Sequence, residues 1–126
     1  STNMADIIYK ELSYKLNGLC FEVHNELGKS RSEQSYADAL EVKLKEAGIK
    51  YAREQPLAPS FEGEQERRNV PDFIIEGIII LDTKAKRACT REDYYQMKRY
   101  LSVAHMRLGI LVNFQEEHLH PKRILG

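Results

Sequence analysis

Val70-Pro71-Asp72-Phe73-Ile74-Ile75-Glu76-Gly77-Ile78-Ile79-Ile80-Leu81-Asp82-Thr83-Lys84 reads as two apolar strands joined by a tight turn at Glu76-Gly77. Three charges stand where a buried hairpin should have none. Asp72 opens the first strand, and Asp82 and Lys84 close the second. A charge among buried strands is costly unless it is paired or bound to a metal. Two carboxylates and one ammonium are the equipment for metal-assisted attack on a phosphodiester.

The turn decides whether these groups meet. Asp82 and Lys84 are two apart on a strand and share a face. A strict two-residue turn at Glu76-Gly77 would set Asp72 opposite Leu81, on the wrong face. A three-residue loop, Glu76-Gly77-Ile78, with Gly77 left-handed and a bulge, sets Asp72 opposite Asp82. The three-residue form is the one expected. Opposed positions lie ~4.5–5.5 Å apart at Cβ. Carboxylates that close repel, and one stays protonated unless a cation is present. A hard divalent ion with oxygen ligands fits, so magnesium or manganese is expected. Lys84 beside it can orient an attacking water and steady phosphate charge. The competing explanation is a structural Asp–Lys pair at a strand end, with Asp72 capping a turn, because D-x-K alone recurs by chance.

The flanking sequence supplies the other layers. Ile8, Leu12, Leu16, Leu19, Val23 and Leu27 recur at three- and four-residue steps, an amphipathic helix ending near Gly28. Ser32 caps a second helix, with Tyr36, Leu40 and Leu44 on one face and Gly48 ending it. Ile49 to Leu57 alternates as a strand, and Phe61 to Asn69 is polar and reads as a loop or an exposed hairpin tip. A third helix runs from about Arg91 to Val103, with Tyr94, Met97, Tyr100 and Leu101 as its apolar side. Leu108 to Phe114 is a buried strand by its continuous apolar run, and a short strand follows around Arg123 to Leu125. The order predicts an α/β domain with helices flanking one mixed sheet.

With 126 residues the chain suits one domain with a core that needs no staples. Ser1-Thr2-Asn3 before Met4 reads as an expression remnant, which leaves a domain over 4–126. No apolar run approaches the ~20 residues of a membrane span, and no basic-then-apolar leader is present, so a cytoplasmic location is expected. Cys20 and Cys89 have no metal spacing and are expected as free thiols. Lys+Arg and Asp+Glu balance at 19 each, which counts against a general nucleic-acid coat. It does not exclude a nuclease, whose acids are offset by metal. Lys84, Lys86, Arg87, Arg91, Lys98 and Arg99 are candidates for a local basic surface, against the plainer reading of a solvated mixed-charge face.

Two further groups border the core. Glu33 and Tyr36 are three apart and share a helix face. Because Tyr36 belongs to the apolar stripe, Glu33 is either an edge residue meeting solvent or a third acid of the metal site. Gln96 and Tyr100 stack one turn apart, where an amide and a phenol can hold a phosphate, a base or the lysine. The plainer alternative is a core tyrosine beside a solvent-facing glutamine. His118-Leu119-His120 has H-x-H spacing but lacks a third ligand nearby, and His24 and His105 read as ordinary.

From about Ile7 onward the chain resembles the GxxExxY proteins of the PD-(D/E)XK nuclease superfamily. Leu27-Gly28-Lys29-Ser30-Arg31-Ser32-Glu33-Gln34-Ser35-Tyr36-Ala37-Asp38-Ala39-Leu40 is similar to the naming motif, with Ser30 where the family has its first Gly. Asp72 with Asp82-Thr83-Lys84 resembles the D…(D/E)-x-K signature, with Asp82 in place of the commoner Glu. Gln96 to Tyr100 is similar to the Q-x-x-x-Y motif of helicase-associated nucleases, and Gly109 to Phe114 with Lys122-Arg123-Ile124 resembles the closing strand and basic tail. The resemblance implies a restriction-endonuclease-like core. It also implies metal ligands at Glu33, Asp72, Asp82 and the Thr83 carbonyl, and Lys84 as the catalytic lysine.

The leading expectation is therefore a magnesium- or manganese-dependent nuclease acting on DNA, with Gln96, Tyr100 and Tyr36 positioning the strand. The alternative is a nuclease-fold nucleic-acid-binding or assembly module without turnover. A small-phosphoester hydrolase is a third reading and would need an enclosed pocket. A homodimer, or membership of a larger complex, is compatible with the chain.

Overall fold

The computed structural model describes residues 8–126. The expected remnant Ser1-Thr2-Asn3 and the domain start at Met4 lie outside the described residues. Helix α1 spans Lys10–Leu27 and buries Leu16, Leu19 and Val23 of the expected stripe together with Cys20, while Leu12 and Leu27 are half-buried. It stops at Gly28, whose φ of 77° suits a residue without Cβ and whose N–H donates to the His24 carbonyl at 2.8 Å. Helix α2 spans Glu33–Glu46, capped by the Ser32 hydroxyl, which accepts from the Ser35 N–H at 3.1 Å. Helix α3 spans Arg91–Ala104 and opens with a Thr90–Asp93 capping box.

Five strands form one sheet in the order β1-β2-β3-β4-β5: Tyr51–Arg53, Phe73–Ile75, Ile79–Lys84, Leu108–Asn113 and Lys122–Leu125. The first three pair antiparallel, β3 and β4 pair parallel across the α3 crossover, and β5 pairs antiparallel to β4. The mixed, helix-flanked sheet is the architecture expected of a restriction-endonuclease-like core.

The core lies in two layers. Phe73, Ile75, Ile79 and Leu81 pack with α1 and α2, whereas Ile80, Leu111 and Ile124 pack with Met97, Tyr100 and Leu101 of α3. Strand alternation therefore turns Asp82 and Lys84, in phase with Ile80, toward the α3 side. Gly109 of β4 lets α3 approach closely, since a Cβ there would stand 2.4 Å from the Met97 sulfur. Arg123 of β5 clasps the start of α1 through the Ser13 hydroxyl and the chain just before it through the Ile8 carbonyl.

Two details differ from expectation. The strand expected over Ile49 to Leu57 shrinks to Tyr51–Arg53, because Glu54 takes a left-handed φ of 52° and turns the chain out of the ladder. Tyr94 is not part of the apolar side of α3 and is 43% exposed. Asp93 faces inward in its place, where Thr90 and Lys86 satisfy its carboxylate. Among the described residues no helix is long and apolar enough to cross a membrane, and Cys20 and Cys89 are free thiols.

Candidate functional site

The β2–β3 turn sets the register of the charged residues. Ile75 pairs with Ile79, so Glu76, Gly77 and Ile78 form a three-residue loop. Gly77 is left-handed as expected, and so is Glu76, while the Ile78 N–H donates to the Ile75 carbonyl at 2.9 Å. With Phe73 opposite Leu81, the next rung outward sets Asp72 opposite Asp82.

That rung is built from side chains. The Asp72 N–H donates to Asp82 Oδ1 at 2.8 Å. The Thr83 N–H and hydroxyl both donate to Asp72 Oδ2, at 2.7 and 3.0 Å. Each carboxylate thus has one oxygen anchored by backbone, and among the described residues no hydrogen-bond donor reaches Asp72 Oδ1 or Asp82 Oδ2. Lys84 Nζ lies 3.8 Å from Asp82 Oδ2 and donates to Gln96 Oε1 at 3.3 Å.

The electrostatics follow from this burial. Asp82 is 4% exposed. Loss of solvent pushes its carboxyl up to about 7, the Asp72 charge adds to the rise, and the Asp72 N–H and Lys84 oppose it. Burial also raises Asp72, against the Thr83 donors and Lys84. Burial and mutual repulsion thus favour retention of a proton by the pair when no cation is bound.

Glu33 opens α2, on the opposite sheet face from α3, and is exposed. It lines a cavity of about 50 Å³ together with Arg53, Glu54, Asp72 and Thr83. Partial burial and then the Asp72 charge raise its carboxyl. Among the described residues no three or more His, Cys, Asp or Glu side chains stand close enough to hold a metal ion as a group. The opposed pair nonetheless fits a hard cation: its two carboxylate oxygens that take no protein donor are hard donors, and mutual repulsion is what a dication relieves. Glu33 meets Asp72 across that cavity and stands outside the hydrogen-bonded pair.

The remaining candidates divide. Gln96 reaches Lys84. Tyr100 donates to the Val70 carbonyl at 3.4 Å, and its hydroxyl is pushed up to about 12 by burial and then by the charges of Asp82 and Asp72. Tyr36 does not join the group. It is fully buried, stacks on Phe114 at 4.6 Å, and its hydroxyl donates to the Gly28 carbonyl while accepting from the Arg31 N–H. Its geometry shapes the loop between α1 and α2. Of the basic candidates, Lys86 pairs with Asp93 at 2.5 Å, Lys98 donates to the Leu125 carbonyl at 2.8 Å and Arg99 to Asn69 Oδ1 at 2.9 Å. Arg87 and Arg91 are exposed.

Sequence reading missed Arg53, which lines the same cavity and pairs with Asp38 at 2.8 Å and Glu41 at 2.9 Å. It also missed Glu54, whose charge raises Asp72. The positive φ of Glu54 left no pattern in the sequence, and the partners of Arg53 come from α2.

A family model described as the PD-(D/E)XK nuclease superfamily matches residues 10–124. No curated protein and no solved structure matches the chain.

Proposed function

The chain belongs to the PD-(D/E)XK nuclease superfamily, and from that premise we propose that it hydrolyses phosphodiester bonds in DNA with the help of magnesium or manganese. The observation that carries the reading is the reciprocal bonding of Asp72 and Asp82, which holds a half-buried and a buried carboxylate opposed beside Lys84. Asp72, Asp82, the Thr83 carbonyl and Glu33 would hold the cation. What a hard dication supplies at such donors is activation of water and neutralisation of phosphate charge. Lys84 presents its ammonium at the edge of the pair, where it orients the attacking water and stabilises charge developing on the phosphate. Gln96 holds that ammonium in place. Tyr100, with its high hydroxyl pKa, stays protonated and remains a hydrogen-bond donor beside the carboxylates.

The finer assignment to the GxxExxY proteins is part of the proposal. It is supported by Glu33 and Tyr36 in the segment from Leu27 to Leu40, and by the hydroxyl of Tyr36 organising that loop. A cytoplasmic location is likewise proposed, in keeping with two free thiols.

One observation favours a second reading. Glu33 stays exposed and no three-acid cluster forms among the described residues, as in a nuclease-fold binding module without turnover. Cleavage of single- and double-stranded DNA with magnesium or manganese separates the two. Loss of cleavage in Lys84→Ala and Asp82→Ala, with circular dichroism unchanged, is the expected result. Cleavage undiminished in either variant would sink the mechanism. No cleavage and no calorimetric binding of either metal by the folded protein would favour the module.

A further inference from the structure

A groove lies between α3 and the loop that precedes Asp72. The loop from Ala58 to Asn69 lies against this helix, held by Arg99 Nε on Asn69 Oδ1 at 2.9 Å. Asn69 is followed by Val70, which accepts from Tyr100, and then by Pro71 and Asp72, so the loop leads directly into the site. Between loop and helix are two open cavities of about 540 and 430 Å³ that share Ser60 and Arg99 and so form one trough.

The lining has a consistent chemistry. Phe61 is 63% exposed at the rim, an unusual position for a ring with no polar atom. Arg68 lines the same cavity, and among the described residues no acceptor reaches its guanidinium. Arg99 uses only Nε on Asn69, which leaves the two terminal nitrogens of its fork for a ligand. The acid in the lining, Glu64, has one oxygen engaged: Ser60 donates to Oε1 twice and Asn69 once, and its charge faces that of Arg99. The trough therefore offers two guanidinium groups and one aromatic face against a single carboxylate, one oxygen of which Ser60 and Asn69 hold.

Resting on the nuclease reading above, we infer that this trough binds a single-stranded nucleic-acid segment flanking the scissile phosphate, with a base stacked on Phe61 and phosphates held by Arg68 and Arg99. An exposed ring needs an unstacked base, which a duplex interior does not offer. Guanidinium forks match phosphate oxygens in pairs. Continuity of the loop with Asp72 gives the strand a route toward the carboxylates.

The test is fluorescence anisotropy with labelled oligothymidine of about 12 nucleotides, in EDTA so that no turnover occurs, using the wild type, Phe61→Ala and Arg68→Ala. A parallel assay follows hydrolysis of bis(p-nitrophenyl) phosphate with manganese, a substrate too small to reach the trough. Phe61→Ala is expected to weaken oligonucleotide binding roughly ten- to hundredfold. Arg68→Ala should weaken it and also flatten the salt dependence by about 0.7 in log–log slope for each phosphate no longer neutralised, which a merely structural change would not do. Both variants should hydrolyse the small ester as the wild type does. Unchanged affinity in both variants, no oligonucleotide binding by the wild type, or a duplex bound as tightly as the single strand would overturn the inference. So would polyglutamate bound equally well, which would assign the trough to an acidic peptide. Oligonucleotide binding as described with no cleavage of DNA by the wild type in magnesium or manganese would refute the nuclease reading and leave the trough standing.

Discussion

Replacing Asp82 by Asn should make the metal-free protein more stable above neutral pH, even as it removes a proposed ligand. The Asp82 carboxyl is raised from an ordinary 3.8 to about 7, chiefly by burial and then by Asp72. Between those values the folded state holds a proton that the unfolded chain has released, so stability falls as pH rises through the window and levels off above about 7. A rise of that size corresponds to a ceiling of about 4 kcal/mol. Asn keeps the Oδ1 acceptor for the Asp72 N–H and carries no charge, so the variant should gain about 1–4 kcal/mol at pH 8 and almost nothing at pH 4. For a chain of this size that is roughly 3–6 °C in Tm per kcal/mol. Thermal denaturation in EDTA at both pH values, followed by circular dichroism, reads the effect directly. Saturating magnesium at pH 8 should then raise the Tm of the parent and leave that of the variant unmoved. A variant less stable than its parent at pH 8, or a gain equal at the two pH values, would refute the reasoning, because neither outcome is compatible with a carboxylate strained by burial.

Three other outcomes follow from the packing. Gln96→Ala removes the acceptor that fixes Lys84 and should lower kcat by about 10- to 100-fold with KM little changed, measured by steady-state cleavage with a Tm control. Tyr36→Phe deletes the hydroxyl shared by Gly28 and Arg31; a loss of about 1 kcal/mol in urea denaturation with cleavage unaltered is expected, and a large fall in cleavage at unchanged stability would instead make Tyr36 a substrate contact. Gly109→Ala drives a methyl into Met97 and should cost about 1–3 kcal/mol in the same urea assay.

Much of the fold was legible because it rests on local patterns. The leucine and isoleucine spacing of α1, the Ser32 cap of α2 and the apolar run of β4 each encode their element without help from distant residues. The opposition of Asp72 and Asp82 was legible for a simpler reason: loop length alone sets the register of a hairpin, and three residues bring 72 opposite 82. What failed to show was tertiary. Tyr94 fits the apolar stripe by spacing, yet the Thr90 cap turns Asp93 inward instead. Tyr36 shares a helix face with Glu33, but its hydroxyl bonds back to the preceding loop, and no spacing rule reveals that. Whether Glu33 approaches the pair depends on how α2 docks against the sheet, a matter of packing between layers that sequence periodicity does not carry.

The side-chain rung between Asp72 and Asp82 also gives the site its own reporter. Two amide protons, those of Asp72 and Thr83, are held by the very carboxylates that would receive a cation. Any charge drawn toward a bound ion weakens their acceptors, so amide exchange and nitrogen-15 shifts at these two positions should register occupancy before a phosphodiester is offered. Because each amide answers to the other strand's carboxylate, the pair resolves which of the two acids has been engaged.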